Sequence, residues 1–478
     1  LENGDNIINM AEKYYKINDF SGGLSDSSLF GGKGSFAEAV GCDIHSEPKI
    51  IKPSQALSSG TLISEFCKYA LKCSTGTTYY FGGSGTIYSR DSSGSYGTVY
   101  ADSYGTIIGC GELDSYIYWA STGTLSRIAI TDSWTTGVSH NWASLTSADY
   151  HQMVVNGLYL FILNKRNIAT VDDTGTITLD GTPDVTLSTL PDNYEYTAIS
   201  NFGDDLIMGT KEVSGVETSR IMRWDTVSPA WNSTDDIPES SINSFITIDN
   251  YVLAQAGNQG NLYFYNGSTL EKFKKIQGDY NNKTMTTYPG SVCQFLGKGM
   301  LGVSNLYGNP CNQGVYSIGQ YDRNYPMALN LDYPISRGSI SDIEIGALTS
   351  SGTLLTVAWK AGGSCGIDEI DWGSKYPSAY FKTLSVGGDR MNQKTFKEYN
   401  VSYKEKPTGT DIKLYYYPNY STGTTEISLT DKSDYNKMAA QDTFEAGVAQ
   451  FRVGFMTSGN DAPAMEELFV KWNEKDIL

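Results

Sequence analysis

No Cys-x-x-Cys pair occurs in this sequence, which excludes a zinc ribbon and a thioredoxin-like redox pair. No apolar run approaches the length of a membrane span. The first thirty residues have neither a basic start nor an apolar core, so no signal peptide is expected. No long helical period appears. Basic residues are outnumbered, with 35 Lys and Arg against 53 Asp and Glu, a formal charge of −18. So acidic a chain repels phosphate, which argues against sequence-specific nucleic-acid binding. The charge suits solubility, and it suits equally a conduit along which DNA slides without sticking. Seven cysteines is an odd number, and five of them, Cys42, Cys67, Cys73, Cys110 and either Cys293 or Cys311, have no paired spacing. Buried free thiols in a reducing cytosol are the expectation. Asn-x-Ser/Thr triplets at Asn232, Asn266, Asn282, Asn400 and Asn419 then read as chance matches.

What is plentiful is glycine (50) and tyrosine (34). They fall in a recurring pattern: an apolar, aromatic strand, a Gly/Ser/Asn turn, then a second strand. Tyr79-Tyr80-Phe81, Tyr116-Ile117-Tyr118-Trp119, Leu158-Tyr159-Leu160-Phe161, Leu206-Ile207-Met208, Tyr251-Val252-Leu253, Met300-Leu301-Gly302-Val303 and Leu354-Leu355-Thr356-Val357 are seven anchors. They stand roughly 37 to 54 residues apart, the period of a four-stranded propeller blade. One such blade cannot bury both faces alone, so the blades must pack around an axis. The fold class is therefore all-β: a β-propeller of about seven blades.

Three regions follow. Residues 1–57 are Gly/Ser-rich with little period-2 patterning, and read as an extended N-terminal arm lying along the ring or a neighbouring subunit. Residues 58–385 hold the blades. From 386 to 478 the pattern changes, and Phe396–Tyr403, Asp411–Tyr417, Thr424–Leu429, Val448–Met456 and Glu467–Trp472 alternate as half-buried strands. Ile412, Leu414 and Tyr416 share one face, as do Ala449, Phe451, Val453 and Phe455. A β-sandwich or jelly roll is expected there.

Candidate chemistry is thin. Gly362-Gly363-Ser364-Cys365-Gly366 matches the G-x-S-x-G nucleophile elbow, but both flanks read as strands and His45, His140 and His151 all precede it; a hairpin loop is expected. Ser89–Tyr96 and Thr170–Gly175 are similar to the Asp-box of sialidase propellers with one residue too many, and Arg90, Arg127, Arg166, Arg220 and Arg223 are too scattered to grip a carboxylate. Asp204-Asp205, Asp235-Asp236 and Asp368-Glu369 with Asp371 have the composition of a glycosidase pair and equally of exposed turns. Asp172 and Asp173 offer oxygen ligands for calcium without the D-x-D-x-D-G loop. Gly31–Ser35 lacks the G-K-[ST] of a phosphate loop. Trp134, Trp142, Trp231 and Tyr415-Tyr416-Tyr417 are candidates for stacking on sugars or for interface burial. No catalytic residue, cofactor or metal ligand is expected.

The order of parts resembles tail proteins of short-tailed bacteriophages. It runs from Phe20-Ser21-Gly22-Gly23-Leu24 and Gly41-Cys42-Asp43-Ile44-His45-Ser46-Glu47-Pro48, through a propeller, to strands Phe451-Arg452-Val453-Gly454-Phe455 and Glu467-Leu468-Phe469-Val470-Lys471-Trp472. The nearest kind is the hub, nozzle or tail accessory protein. The resemblance implies a structural virion protein without catalysis, in a homo-oligomeric, six-fold ring. Such a ring joins the portal and neck to the adsorption apparatus, contacts other neck and tail proteins, and lines part of the DNA path without reading sequence. A carbohydrate-binding adhesin, a capsid decoration protein and a glycosidase are the alternatives.

Overall fold

The structure is a computed structural model that describes residues 12–474 apart from 28, 102–104, 216–217, 249–250, 279–283, 306–312, 338–341 and 389–391. Among the described residues there is no α-helix. The chain divides into two compact units, one of residues 57–317 and 335–370, the other of 1–56, 318–334 and 371–478.

The first unit is a succession of antiparallel sheets. Four-stranded sheets occupy Cys67–Ala101, Ile107–Ser144, Met153–Thr178, Tyr194–Ile237 and Ile242–Lys275 in turn. Val292–Phe295, Lys298–Val303 and Gly314–Gly319 then lie side by side, followed by a sheet on Ile343–Ser351, Leu354–Ala361 and Ser364–Lys375. The first strands of successive sheets neighbour one another, and Ile343–Ser351 returns to neighbour Cys67–Lys72. This is a β-propeller.

Every aromatic anchor falls at the second strand of its sheet, and the burial explains why the sequence reveals that strand. Tyr159–Asn164, Asp205–Glu212 and Lys298–Val303 are buried nearly throughout, whereas the outer strands Tyr96–Ala101, Ser139–Ser144 and Leu270–Lys275 are largely open to solvent. A strand covered on both faces reads as an apolar run rather than as an alternation.

Two devices hold neighbouring sheets together. At the inner strands, glycine permits backbone contact: a Cβ on Gly109 would lie 1.8 Å from the His151 carbonyl oxygen, and one on Gly346 would lie 2.0 Å from that of Cys67. A polar ladder also runs from strand to strand. Ser350 Oγ donates to the Gln294 carbonyl at 2.5 Å, the Gln294 amide to Thr247, Thr247 Oγ1 to Asn201 at 3.2 Å, and Asn201 Nδ2 to Val155 at 2.9 Å. These residues occupy equivalent places near the ends of five successive first strands, so one kind of bond is repeated from sheet to sheet.

Closure uses sequence from before the first sheet. Strand Gln55–Ile63 is the outermost strand beside Ser364–Lys375, so chain that enters the first sheet also completes the last. Across the same seam Arg90 Nε and Nη2 grip Glu369 at 2.7 and 3.0 Å, and the Tyr96 hydroxyl donates to Glu369 at 2.5 Å. A two-pronged guanidinium–carboxylate pair fixes orientation as well as distance.

In the second unit, one run of strands is Ala328–Tyr333, Glu38–Val40, Tyr380–Lys382, Ala449–Met456, Asp411–Pro418 and Thr425–Ile427. The other is Glu12–Ile17, Ala464–Glu474, Lys394–Glu405, Lys437–Ala440 and Thr430–Lys432, with Phe444–Ala446 also pairing to Lys394–Glu405. Both contribute to one core that includes Phe36, Phe381, Phe396, Phe451, Leu468 and Trp472. The strands expected beyond residue 386 all form, and Ile412, Leu414, Ala449, Phe451, Val453 and Phe455 are buried together as their alternation requires.

Residues 12–17 and 38–40 of the N-terminal region, expected as an extended arm along the ring or a neighbouring subunit, pair as strands in the second unit. Glu12–Ile17 pairs with Leu468–Asn473, and Glu38–Val40 sits between Ala328–Tyr333 and Tyr380–Lys382. Phe20 and Phe36 are fully buried. The expected propeller limit at 385 also shifts, because 318–334 and 371–385 belong to this second unit. The reason is pairing: Ala328–Tyr333 is buried at every residue beside Val40, a partner some 290 positions earlier that no local pattern reveals.

Candidate functional site

The three tryptophans singled out from sequence do not meet. Trp134 packs on Tyr79, Tyr100 and Trp119 at 5.2, 5.9 and 5.5 Å, in the core between the sheets starting at Cys67 and Ile107. Trp142 faces the next core, 5.7 Å from Tyr118 and 4.1 Å from the Arg127 guanidinium. Trp231 donates its Nε1 proton to the Tyr196 hydroxyl at 3.1 Å. Each is half-buried; Trp142 and Trp231 are held within their own sheets, whereas Trp134 is shared between two. Tyr416 stacks on Phe444 at 3.7 Å.

The paired carboxylates are likewise engaged. Asp205 is ion-paired to Arg223, and Asp236 to Arg220 at 2.9 Å. Asp368 is fully buried and accepts from Trp359 Nε1 at 2.7 Å, from the Ser336 amide at 2.7 Å and from its hydroxyl at 2.9 Å. Burial pushes its carboxyl pKa up against the pull of those donors. Asp172 serves as a turn residue, accepting from the Thr174 and Thr176 amides at 3.0 and 2.7 Å, and Asp91 repeats the same arrangement with Ser93 and Ser95. Among the described residues no group of three metal-ligating side chains occurs. Gly362 and Gly363 form the turn between two strands, with φ of 53° and 87°, so Gly362–Gly366 is a hairpin. His151 is buried with Nδ1 2.6 Å from the Leu163 carbonyl and Nε2 3.2 Å from that of Thr122; burial lowers its pKa. The six described cysteines are free, and Cys42, Cys67 and Cys73 are buried.

Sequence reasoning missed two places. One is the start of the propeller's inner strands, where Lys68 Nζ sits 4.5 Å over the Tyr288 ring. The Tyr288 hydroxyl donates to Glu344 Oε2 at 2.5 Å, and Lys360 reaches Glu344 Oε1 at 2.7 Å. Burial lowers the Lys68 pKa; burial and then Glu344 raise that of Tyr288. Beside this group Gln152 Nε2 comes within 3.5 Å of the Pro289 carbonyl, linking sheets that are not consecutive. That link joins the third and sixth sheets directly at the start of their inner strands.

The other is a cavity of about 450 Å³ in the second unit, lined by Tyr15, Lys16, Phe30, Lys33, Ser35 and Ser385 among others. It opens beside strand Glu12–Ile17, which pairs on one side with Ala464–Glu474 and, among the described residues, has no strand on its other edge. Glycines build the opposite wall at Gly31, Gly32 and Gly34. Phe30 is 74% exposed and Lys33 is exposed. Burial raises the Tyr15 phenol pKa.

Ion pairs hold this edge strand down. Glu12 meets Lys397 and Lys471, both at 2.6 Å, and these ammonium groups lower its pKa to about 2. Because the folded value lies below the ordinary one of 4.5, the contribution is present above pH 4.5 and lost as pH falls toward 2. Hydrogen-exchange protection of Glu12–Ile17, corrected for intrinsic rates, is expected to drop across that window. In Glu12→Gln the protection is lower from the start and this step is absent; a wild-type strand indifferent to pH contradicts the assignment.

No family model and no curated protein matches the chain. Among solved structures, the WD40 domain of Neurospora crassa Pan2 has a TM-score of 0.41 at 9% identity, covering 66% of this chain and 96% of that one. The C-terminal WD40 domain of Sif2 has 0.43 at 12%, covering 66% and 99%. The extracellular domain of a hybrid two component system from B. thetaiotaomicron has 0.47 at 15%, covering 80% of this chain but only 47% of that one. At such identities the likeness extends to the fold alone.

Proposed function

We propose that this protein is a structural component of a bacteriophage virion, a tail or neck subunit that assembles into a homo-oligomeric, six-fold ring between portal and adsorption apparatus. In this reading the sheets make a seven-bladed propeller, the seventh blade completed by Gln55–Ile63, and the second unit is a β-sandwich. The observation that carries the non-catalytic part is the engagement of the candidate carboxylates: Asp205, Asp236, Asp368 and Glu369 each hold another element in place. The phage assignment rests on the resemblance in the order of parts. The net charge of −18 supports a surface past which DNA slides without binding. In this reading that surface is the wall at the centre of a ring of copies.

Light scattering on the purified chain tests the assembly. A discrete mass of several chains, stable on dilution, is expected. A chain that remains monomeric at every concentration overturns the ring.

A further inference from the structure

Strands Glu12–Ile17 and Thr430–Lys432 are the two ends of one sheet. An uncovered strand edge is a template for pairing with another chain, and here the two edges differ in what accompanies them. Beside Glu12–Ile17 lies the cavity, with the exposed Lys33 and the aromatic Phe30 at its lining. After Thr430–Lys432, whose residues are all exposed, comes a one-turn 3₁₀ helix, Ser433–Tyr435. It projects Tyr435, which at 81% is the most exposed large apolar side chain described, next to the exposed acid Asp434. One end of the sheet is therefore a concave site carrying the exposed Lys33 with Asp19 also in its lining, and the other a convex aromatic beside the exposed Asp434.

We propose that copies of this chain join head to tail by strand addition, Thr430–Lys432 of one copy against Glu12–Ile17 of the next. Tyr435 fills the cavity beside Tyr15 and Phe30, and Asp434 pairs with Lys33. Main-chain bonds supply the pairing, and the seated aromatic and the ion pair set the register. Because the two surfaces are different, the contact repeats in one direction and closes into a ring when the rotation allows. This rests on the ring reading above and names its contact.

The test is a charge swap in the full chain, read as native mass against concentration. Lys33→Glu alone and Asp434→Lys alone weaken assembly at least tenfold, and the double variant recovers it. Tyr435→Ala weakens it about thirtyfold, the loss expected of a buried aromatic anchor. All three side chains are exposed in the single chain, so its unfolding midpoint does not move. If wild type forms a ring and these variants form it equally well, this contact is wrong and the ring reading stands. If wild type never assembles, both fall.

Discussion

Asp368→Ala lowers the stability of the propeller unit by about 3 kcal/mol, the scale expected when a buried carboxylate bonded to several donors is removed. The carboxylate is fully buried, and its three donors come from Trp359 on the preceding strand and from Ser336 in a distant loop. Without it the Trp359 indole N–H, itself fully buried, loses the acceptor it now has, and the side chain leaves a gap that the surrounding strands only partly fill. Asp368→Asn keeps the shape and one acceptor oxygen, so it costs less than alanine. Urea unfolding followed by hydrogen exchange in Leu354–Ala361 separates the two. Equal stability of Asp368→Ala and wild type contradicts the role given to this carboxylate.

Gly109→Ala is expected to be as damaging, for a different reason. The added methyl would stand 1.8 Å from the His151 carbonyl oxygen, which is backbone and cannot swing aside. The sheets starting at Ile107 and Met153 must separate, stretching the bond from the His151 amide to the Ile108 carbonyl, now 3.0 Å. Overpacking typically costs about 1–3 kcal/mol, and a backbone clash this close belongs at the upper end. Gly97→Ala is the control: it lies on an outer strand with nothing within 4 Å of its Cβ position, and its unfolding midpoint stays close to wild type. Should the two variants unfold alike, close approach of inner strands is not what glycine provides at 109.

The sequence carries the propeller most clearly where strands are covered on both faces. Tyr116–Trp119 and Leu206–Met208 are continuous apolar runs because sheets pack on either side of them. Strand Gln55–Ile63 gave no such sign: as an outermost strand it buries chiefly Leu57, and its partner lies some 300 residues away. Glu38–Val40 and Tyr380–Lys382 are three residues each, too short for a period to register, and only pairing makes them strands. The hairpin at Gly362–Gly366 was legible, since two glycines between apolar runs signal a turn. The cavity was not, because its lining joins positions 15–19, 29–35 and 384–385, which nothing local connects. The tryptophans show the converse limit. Trp134 and Trp142 are eight positions apart, yet they face cores on opposite sides of one sheet.

Electron-microscope images of the purified chain, taken from the same fraction used for native mass, decide whether the ring exists. Closed rings with rotational symmetry are expected, each copy contributing one propeller. Single, unassociated propellers at all concentrations would contradict the ring reading.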